Sequence, residues 1–268
     1  MPSSSTKSKE QLRMRVFAGP NGSGKTTVIN KIRKQKVKGR LIDFGFYINA
    51  DEIVKTLLKK PFAFKKFEIS CLKKEFKDIA MSSGLVNDKF SENEFDNSFN
   101  IMASKLYLKD PGKVEYLAQI TADYLRKKLL VLRKKFSFET VFSHRSKIDI
   151  MCEAAAQGYK VYLYFVSTSS PEINKFRVEA RVKKGGHYVE PETIEKRYFR
   201  SMDLLYEASQ TGYQVFFFDN SKEGDDSSVL FAHFKKSGDD KKWDPIKKRS
   251  VPDWFITYYS KKIKSAAK

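Results

Sequence analysis

The chain is poor in the residues that staple a fold or ligate a metal. It has 2 cysteines in 268 residues, Cys71 and Cys152. That is too few for a disulfide framework, and neither stands in a metal-ligand spacing. The three histidines, His144, His187 and His233, are scattered and outline no metal site. No apolar run approaches the roughly 20 residues of a membrane span, and the polar start MPSSSTKSKE lacks the apolar stretch of a signal peptide. A soluble, cytoplasmic protein with no membrane partner is therefore expected. There is no internal repeat, which excludes a solenoid. An N-K-x-D guanine-reading signature is missing, and no strand ends in the acidic pair of a motor ATPase. Acidic residues are scarce as well: 32 Asp+Glu against 52 Lys+Arg leave a net charge of +20.

What is present makes a globular domain. Hydrophobic residues are 41% of the chain, and 22 Phe with 13 Tyr exclude a disordered polymer. The length suits one large domain or a domain with an insertion. The basic charge is concentrated in Lys31, Arg33, Lys34, Lys36, Lys38 and Arg40, and in residues 234–268, where eleven Lys or Arg face four Asp. Two readings follow, a lysine-rich solvated surface or attraction to an anionic substrate or nucleic acid. Neither run carries the interleaved aromatics of a single-strand-binding sheet.

Periodicity along the chain alternates between strand and helix. Strands are predicted at 13–18, 44–50, 136–143, 159–167 and 213–220. Helices are predicted at 25–36, 51–60, 111–135, 146–157, 171–184 and 191–210, the last two with Pro in the first turn. This rhythm argues an α/β fold, a three-layer sandwich around a mainly parallel central sheet. Residues 60–112 break it and read as a largely helical or irregular insertion. Residues 227–234 read as an edge strand and 253–263 as a closing helix. The expected organisation is a flexible N-terminus (1–12), a core (13–221) with its insertion (about 60–112) and an Arg-rich lid (about 177–200), and a basic C-terminal extension (222–268) packed on the core.

Residues 19–26 read G-P-N-G-S-G-K-T, an intact G-x-x-x-x-G-K-[ST] between a predicted strand and a predicted helix. Gly19, Gly22 and Gly24 let the backbone approach phosphate oxygens directly. The N–H groups of the loop and the helix N-terminus form an anion nest. Lys25 suits the β- and γ-phosphates, and the Thr26 hydroxyl suits Mg²⁺. The loop therefore implies a nucleoside triphosphate. A kinase would further need an acid near the loop and arginines on a closing lid. Asp51 falls where the second strand gives way to its helix, as a candidate base; the other reading is a helix N-cap, and the two are compatible. Glu139 is a carboxylate in an apolar strand and must be paired or belong to a site; Thr140 follows it. Arg177, Arg181, Arg197 and Arg200 fall on two successive helices around a Gly-Gly pair (185–186), a plausible lid hinge or simply a solvated basic face.

Six segments together, FAGPNGSGKTT (17–27), INADEI (48–53), FSFETVFS (136–143), RVEARVKKGGHYV (177–189), RYFRS (197–201) and FFFDNS (216–221), resemble the zeta-toxin family of P-loop kinases. They span most of residues 13–221 in family order. The resemblance implies ATP bound by Gly19, Pro20, Asn21, Gly22, Ser23, Gly24, Lys25, Thr26 and Thr27, with Mg²⁺ on Thr26. It implies Asp51 as the base that deprotonates the acceptor hydroxyl, and Glu139 and Thr140 as substrate-holding groups. Arg181 and Arg197 would stabilise transition-state charge, with Arg177 as an alternate that contacts substrate. Asp219 and Asn220 fall where related chains pass the nucleotide base. The founding toxins phosphorylate the sugar 3′-hydroxyl of UDP-N-acetylglucosamine and relatives modify other nucleotides, NAD among them. An antitoxin or other acidic protein is the implied partner. Two other readings stay open: a polynucleotide kinase or nucleic-acid-processing ATPase, suggested by the charge, and a nucleotide-gated regulatory protein.

Overall fold

A computed structural model describes residues 11–222, 224, 228–238 and 240–266. Most of the expected flexible N-terminus (1–12) and parts of the basic extension lie outside the described residues. In chain order the elements are β1 (Arg13–Ala18), α1 (Lys25–Arg33), β2 (Lys36–Val37), β3 (Arg40–Leu41), β4 (Phe46–Ile48), α2 (Ala50–Leu57), β5 (Phe62–Ala63), α3 (Lys73–Ser82), α4 (Glu92–Ser98), β6 (Phe99–Met102), β7 (Lys105–Leu108), α5 (Val114–Val131), β8 (Phe136–Thr140), α6 (Ser146–Ala156), β9 (Lys160–Ser167), α7 (Pro171–Val182), α8 (Pro191–Asp203), α9 (Leu205–Thr211), β10 (Gln214–Asp219), β11 (Val229–Ser237) and β12 (Asp240–Trp243). The chain closes with α10 (Asp253–Phe255), a π-turn over Ile256–Ser260, and α11 (Lys261–Ala266). The fold is mixed α/β, and the chain divides into two compact units, residues up to Lys31 with those from Val141 onward, and Ile32–Thr140.

In the first unit the strand order is β12-β11-β10-β9-β1. β9 pairs in parallel with both β1 and β10, whereas β11 and β12 run antiparallel. The nearly continuous apolar run of β9, KVYLYFVS, fits a strand covered on both faces. One face carries a stacked ladder across four strands. Phe17 and Tyr164 lie 4.7 Å apart, Tyr164 and Phe216 4.7 Å, and Phe216 and His233 4.2 Å, all near parallel. These are direct cross-strand neighbours, so the sheet register itself stacks the rings. On the other face Phe217 is the hub of an aromatic cluster with Phe231, Phe234, Trp243, Phe255 and Tyr259. The C-terminal segment thus supplies core, and its hairpin partner β12 is an element that sequence periodicity did not reveal.

The second unit pairs β4 with β8 in parallel and lays α5 against α2 and α3. Here residues 60–112 depart from the expected helical or irregular insertion. They form a three-stranded antiparallel sheet, β5-β7-β6, with α3 and α4. Strands of two to four residues are too short to show an alternating pattern. Their packing instead comes from aromatics, with Phe64, Phe76, Phe95, Phe99 and Tyr124 all fully buried and in ring contact. A capping box of Ser91 and Glu94 starts α4. A second difference lies in the first unit: the single helix expected over 191–210 is two, α8 and α9, breaking at Leu204.

Truncating Phe217, which is fully buried among five rings, should cost about 3–5 kcal/mol of unfolding free energy. Urea denaturation of Phe217→Ala reads this directly. A loss below about 1 kcal/mol would show that the C-terminal segment is an appendage and not core.

Candidate functional site

The glycine-rich loop leaves β1, whose residues from Met14 to Ala18 are buried, and ends in the first turn of α1. Its three glycines all have positive φ: 144° at Gly19, 73° at Gly22 and 88° at Gly24. Each is also pressed against a different element. A Cβ on Gly19 would lie 2.0 Å from the Val166 carbonyl oxygen of β9, one on Gly22 2.6 Å from the Asn174 oxygen of α7, and one on Gly24 2.0 Å from Asn220 Nδ2. Any side chain at these positions would clash, so the loop backbone packs directly against these three elements.

Two buried asparagines clasp the loop. Asn220, just beyond β10, donates Nδ2 to the Ser23 carbonyl at 2.8 Å and its own N–H to the Ser167 carbonyl at 2.8 Å. Asn174 on α7 donates Nδ2 to the Asn21 carbonyl at 2.7 Å, and its Oδ1 accepts from the Thr168 hydroxyl. Tyr198 of α8 donates to the Thr168 carbonyl at 2.8 Å, its phenol pushed up to about 12 by burial. Asn220 was expected near the nucleotide base; its observed contact is with the loop backbone. Asn174 was not singled out in the sequence, although it stands four residues before the buried Val178 on one helix face. A polar residue on that apolar stripe was the available signal.

Lys25 is buried and donates Nζ to the Gly19 and Pro20 carbonyls, both at 2.9 Å. Its ammonium thus lies within the loop that a triphosphate would enter. The Ser23 hydroxyl is buried and has no hydrogen-bond partner among the described residues. Thr26 and Thr27 are exposed in the first turn of α1, a turn without acidic residues to offset its free N–H groups. Glycines that leave the backbone bare, a lysine inside the loop and an exposed threonine at its end fit a triphosphate with its Mg²⁺. That ion takes most of its ligands from phosphate and water. Among the described residues no three His, Cys, Asp or Glu side chains converge as a metal site.

The arginines of α7 and α8 occupy different settings. Arg197 Nη1 reaches Asn21 Oδ1 of the loop at 3.5 Å. Arg177 donates to the Asn220 and Lys222 carbonyls, each at 2.7 Å. Arg181 is exposed and donates to the His187 carbonyl at 2.9 Å, across the turn containing Gly185 and Gly186. Arg200 is exposed. The two helices pack through Val178, Val189 and Ile194, with Val182 at the margin.

In the second unit Asp51, Glu139 and Thr140 belong to a separate arrangement. The N-cap of α2 is Asn49, whose Oδ1 accepts from the N–H groups of Asp51 at 2.8 Å and Glu52 at 3.3 Å. The capping alternative for Asp51 therefore falls to Asn49, and the Asp51 side chain is exposed in the first helical turn. Glu139 Oε2 accepts from Asn49 Nδ2 at 3.0 Å and from the Tyr47 hydroxyl at 3.2 Å. Burial, then the Glu139 charge, raises the Tyr47 phenol above its ordinary value and keeps it a donor. Thr140 is half-buried at the end of β8. Tyr47 and Asn49 are thus the partners that Glu139 required.

The Asn220 clasp is directly testable. Asn220→Asp places an acceptor against the Ser23 carbonyl in a buried setting, which should cost about 1–3 kcal/mol. Chemical denaturation measures it; a change under about 0.5 kcal/mol would show that the clasp does not hold the loop.

No family model matches the chain. A stretch of 63 residues is 36% identical to an uncharacterised protein of Haemophilus influenzae, spanning 24% of this chain and 45% of that protein. Among solved structures, a chain of the AvrRxo1-ORF1:AvrRxo1-ORF2 complex with sulphate ions aligns with a TM-score of 0.51 at 13% identity, over 87% of this chain and 60% of that one. The PezAT chromosomal toxin-antitoxin system of Streptococcus pneumoniae aligns with a TM-score of 0.48 at 14% identity, over 96% and 82% of the two chains. Among the described residues no helix is long and apolar enough to cross a membrane. At these identities the likeness is one of fold alone, and the α/β fold expected from the sequence, with a mainly parallel central sheet, is the fold this chain has.

Proposed function

We infer that the protein is an ATP-dependent kinase that transfers the γ-phosphoryl group to a hydroxyl of a nucleotide or nucleotide sugar, of the UDP-N-acetylglucosamine kind. The observation that carries this reading is the clasped, glycine-rich loop with Lys25 folded onto the loop's own carbonyls. A phosphate chain entering there meets backbone N–H groups and an ammonium with little reorganisation. In this reading Lys25 exchanges two carbonyls for the β- and γ-phosphate oxygens. Thr26 would offer its hydroxyl to Mg²⁺, which would supply charge neutralisation when bound.

Asp51 takes the acceptor proton. The acceptor oxygen then bonds to the γ-phosphorus as the bond from that phosphorus to the bridging oxygen breaks, leaving ADP. An exposed carboxylate released from capping is available for this, whereas Glu139, already accepting from two donors, suits holding substrate. Arg181 and Arg197 would neutralise charge that develops on the transferred group. Arg177, which binds the backbone beyond β10, would tie α7, the helix of Arg181, to the loop clasp. The resemblance adds an antitoxin or other acidic protein as a partner. The net charge of +20 keeps a polynucleotide acceptor as the second reading.

The test is transfer of label from γ-labelled ATP with Mg²⁺ to UDP-sugars, NAD, nucleosides and short RNA, with products resolved by mass. The expected result is a phosphorylated small molecule that forms with the intact chain and falls by about 10²–10⁴ in rate with Asp51→Asn. Labelled RNA would move the acceptor to polynucleotides. Free phosphate alone, unchanged in Asp51→Asn, would contradict the kinase reading.

A further inference from the structure

A second concentration of positive charge lies at the other end of the first unit's sheet. The β11–β12 hairpin sets lysine directly opposite lysine twice, Lys235 against Lys242 and Lys236 against Lys241. Like charges facing each other across an antiparallel pair are destabilising. One of the two pairs has an internal remedy: Lys236 donates to the Gln210 carbonyl and Lys241 to the Gln210 side-chain oxygen.

The other pair has none of this kind. Among the described residues, neither Lys235 nor Lys242 has a carboxylate partner. They line an open cavity of about 390 Å³ with Tyr213, Lys236, Ser237 and Gly238, a lining without an acidic side chain. Lys160, at the start of β9, adds a further ammonium 4.8 Å from the Tyr213 ring centre, and Lys235 lies 5.7 Å from it. Burial pulls the Tyr213 phenol up, but Lys235 and Lys160 outweigh it and hold it below its ordinary value. The potential in the cavity is therefore positive. Asp240 is exposed on β12, opposite Ser237, and Asp239 lies outside the described residues.

This cavity is separate from the glycine-rich loop. β1, β9 and β10 are parallel, the loop leaves the C-terminal end of β1, and Lys160 and Tyr213 stand at the N-terminal ends of β9 and β10. Five residue steps of strand, about 17 Å, lie between the two edges. Lys235 and Lys242, with the Tyr213 phenol and the Ser237 hydroxyl, line one concavity that offers ammonium and hydroxyl donors and no carboxylate, the chemistry that phosphate oxygens complete. We propose that the hairpin cavity around Tyr213, Lys235 and Lys242 is a phosphate-binding site, taking the phosphates of a free polyphosphate or of a nucleic-acid strand.

The test uses the full chain carrying Lys25→Ala, so that the glycine-rich loop contributes little, and measures binding of tripolyphosphate and of a fluorescent single-stranded RNA. Lys235→Gln with Lys242→Gln should weaken tripolyphosphate binding by about tenfold or more, the loss of two charge-assisted contacts. Lys247→Gln with Lys248→Gln removes the same charge from exposed positions on the following segment and should change it less than about twofold. Because the first variant removes a like-charge pair, its melting temperature should not fall, which separates lost binding from lost folding. RNA that competes with tripolyphosphate, with a salt slope reduced in the Lys235/Lys242 variant, identifies the nucleic-acid source. RNA that does not compete identifies free polyphosphate. Equal effects of the two variants, or no binding by the Lys25→Ala chain, would overturn the proposal.

Discussion

Everything in the candidate site depends on one steric constraint: the loop after β1 has no room for a side chain at three glycines. Gly19, Gly22 and Gly24 each abut a different element, β9, α7 and the end of β10. The loop is therefore shaped from three directions. Asn174 and Asn220 then hydrogen-bond its Asn21 and Ser23 carbonyls, which fixes the loop backbone from two sides. The fold's large terms, the stacked ladder over β1, β9, β10 and β11 and the aromatic hub around Phe217, keep those elements at fixed spacing. Preorganisation of the loop is thus a consequence of packing well away from it.

The same connections tie α7 and α8 to the loop. Arg177 binds the backbone at Asn220, the residue that clasps Ser23, and Tyr198 binds Thr168, which in turn donates to Asn174. A movement of α7 or α8 is felt at the loop through two or three hydrogen bonds. Asp219 carries the link further, accepting from the Trp254 indole at 2.9 Å and so joining β10 to the closing helix.

Much of this was legible in the sequence because the relevant signals are local. A strand, a glycine motif and a helix follow one another within twenty-one residues (13–33), and β9 announces itself by an unbroken apolar run. The short strands β5, β6 and β7 were not legible, because two to four residues cannot display a period and their register is set by contacts distant in sequence. Leu204 stops α8 with neither Gly nor Pro to mark it. In the site, the sequence singled out the chemically active residue types but not their holders. Asn174 and Asn49 became visible only when their partners, the Asn21 carbonyl and Glu139, were brought to them by folding. Asp51 was ambiguous between base and cap until Asn49 took the cap.

The central claim is that the clasped loop is a ready-made triphosphate site. Calorimetric titration of the intact chain with ATP and Mg²⁺ tests it most directly, with Lys25→Ala measured alongside. A Mg²⁺-dependent binding component of one ATP per chain, absent from Lys25→Ala even where weaker phosphate binding at the hairpin persists, is expected, because the ammonium that rests on Gly19 and Pro20 is the group the phosphates would engage. Absence of binding to the intact chain, or equal affinity in Lys25→Ala, would contradict it.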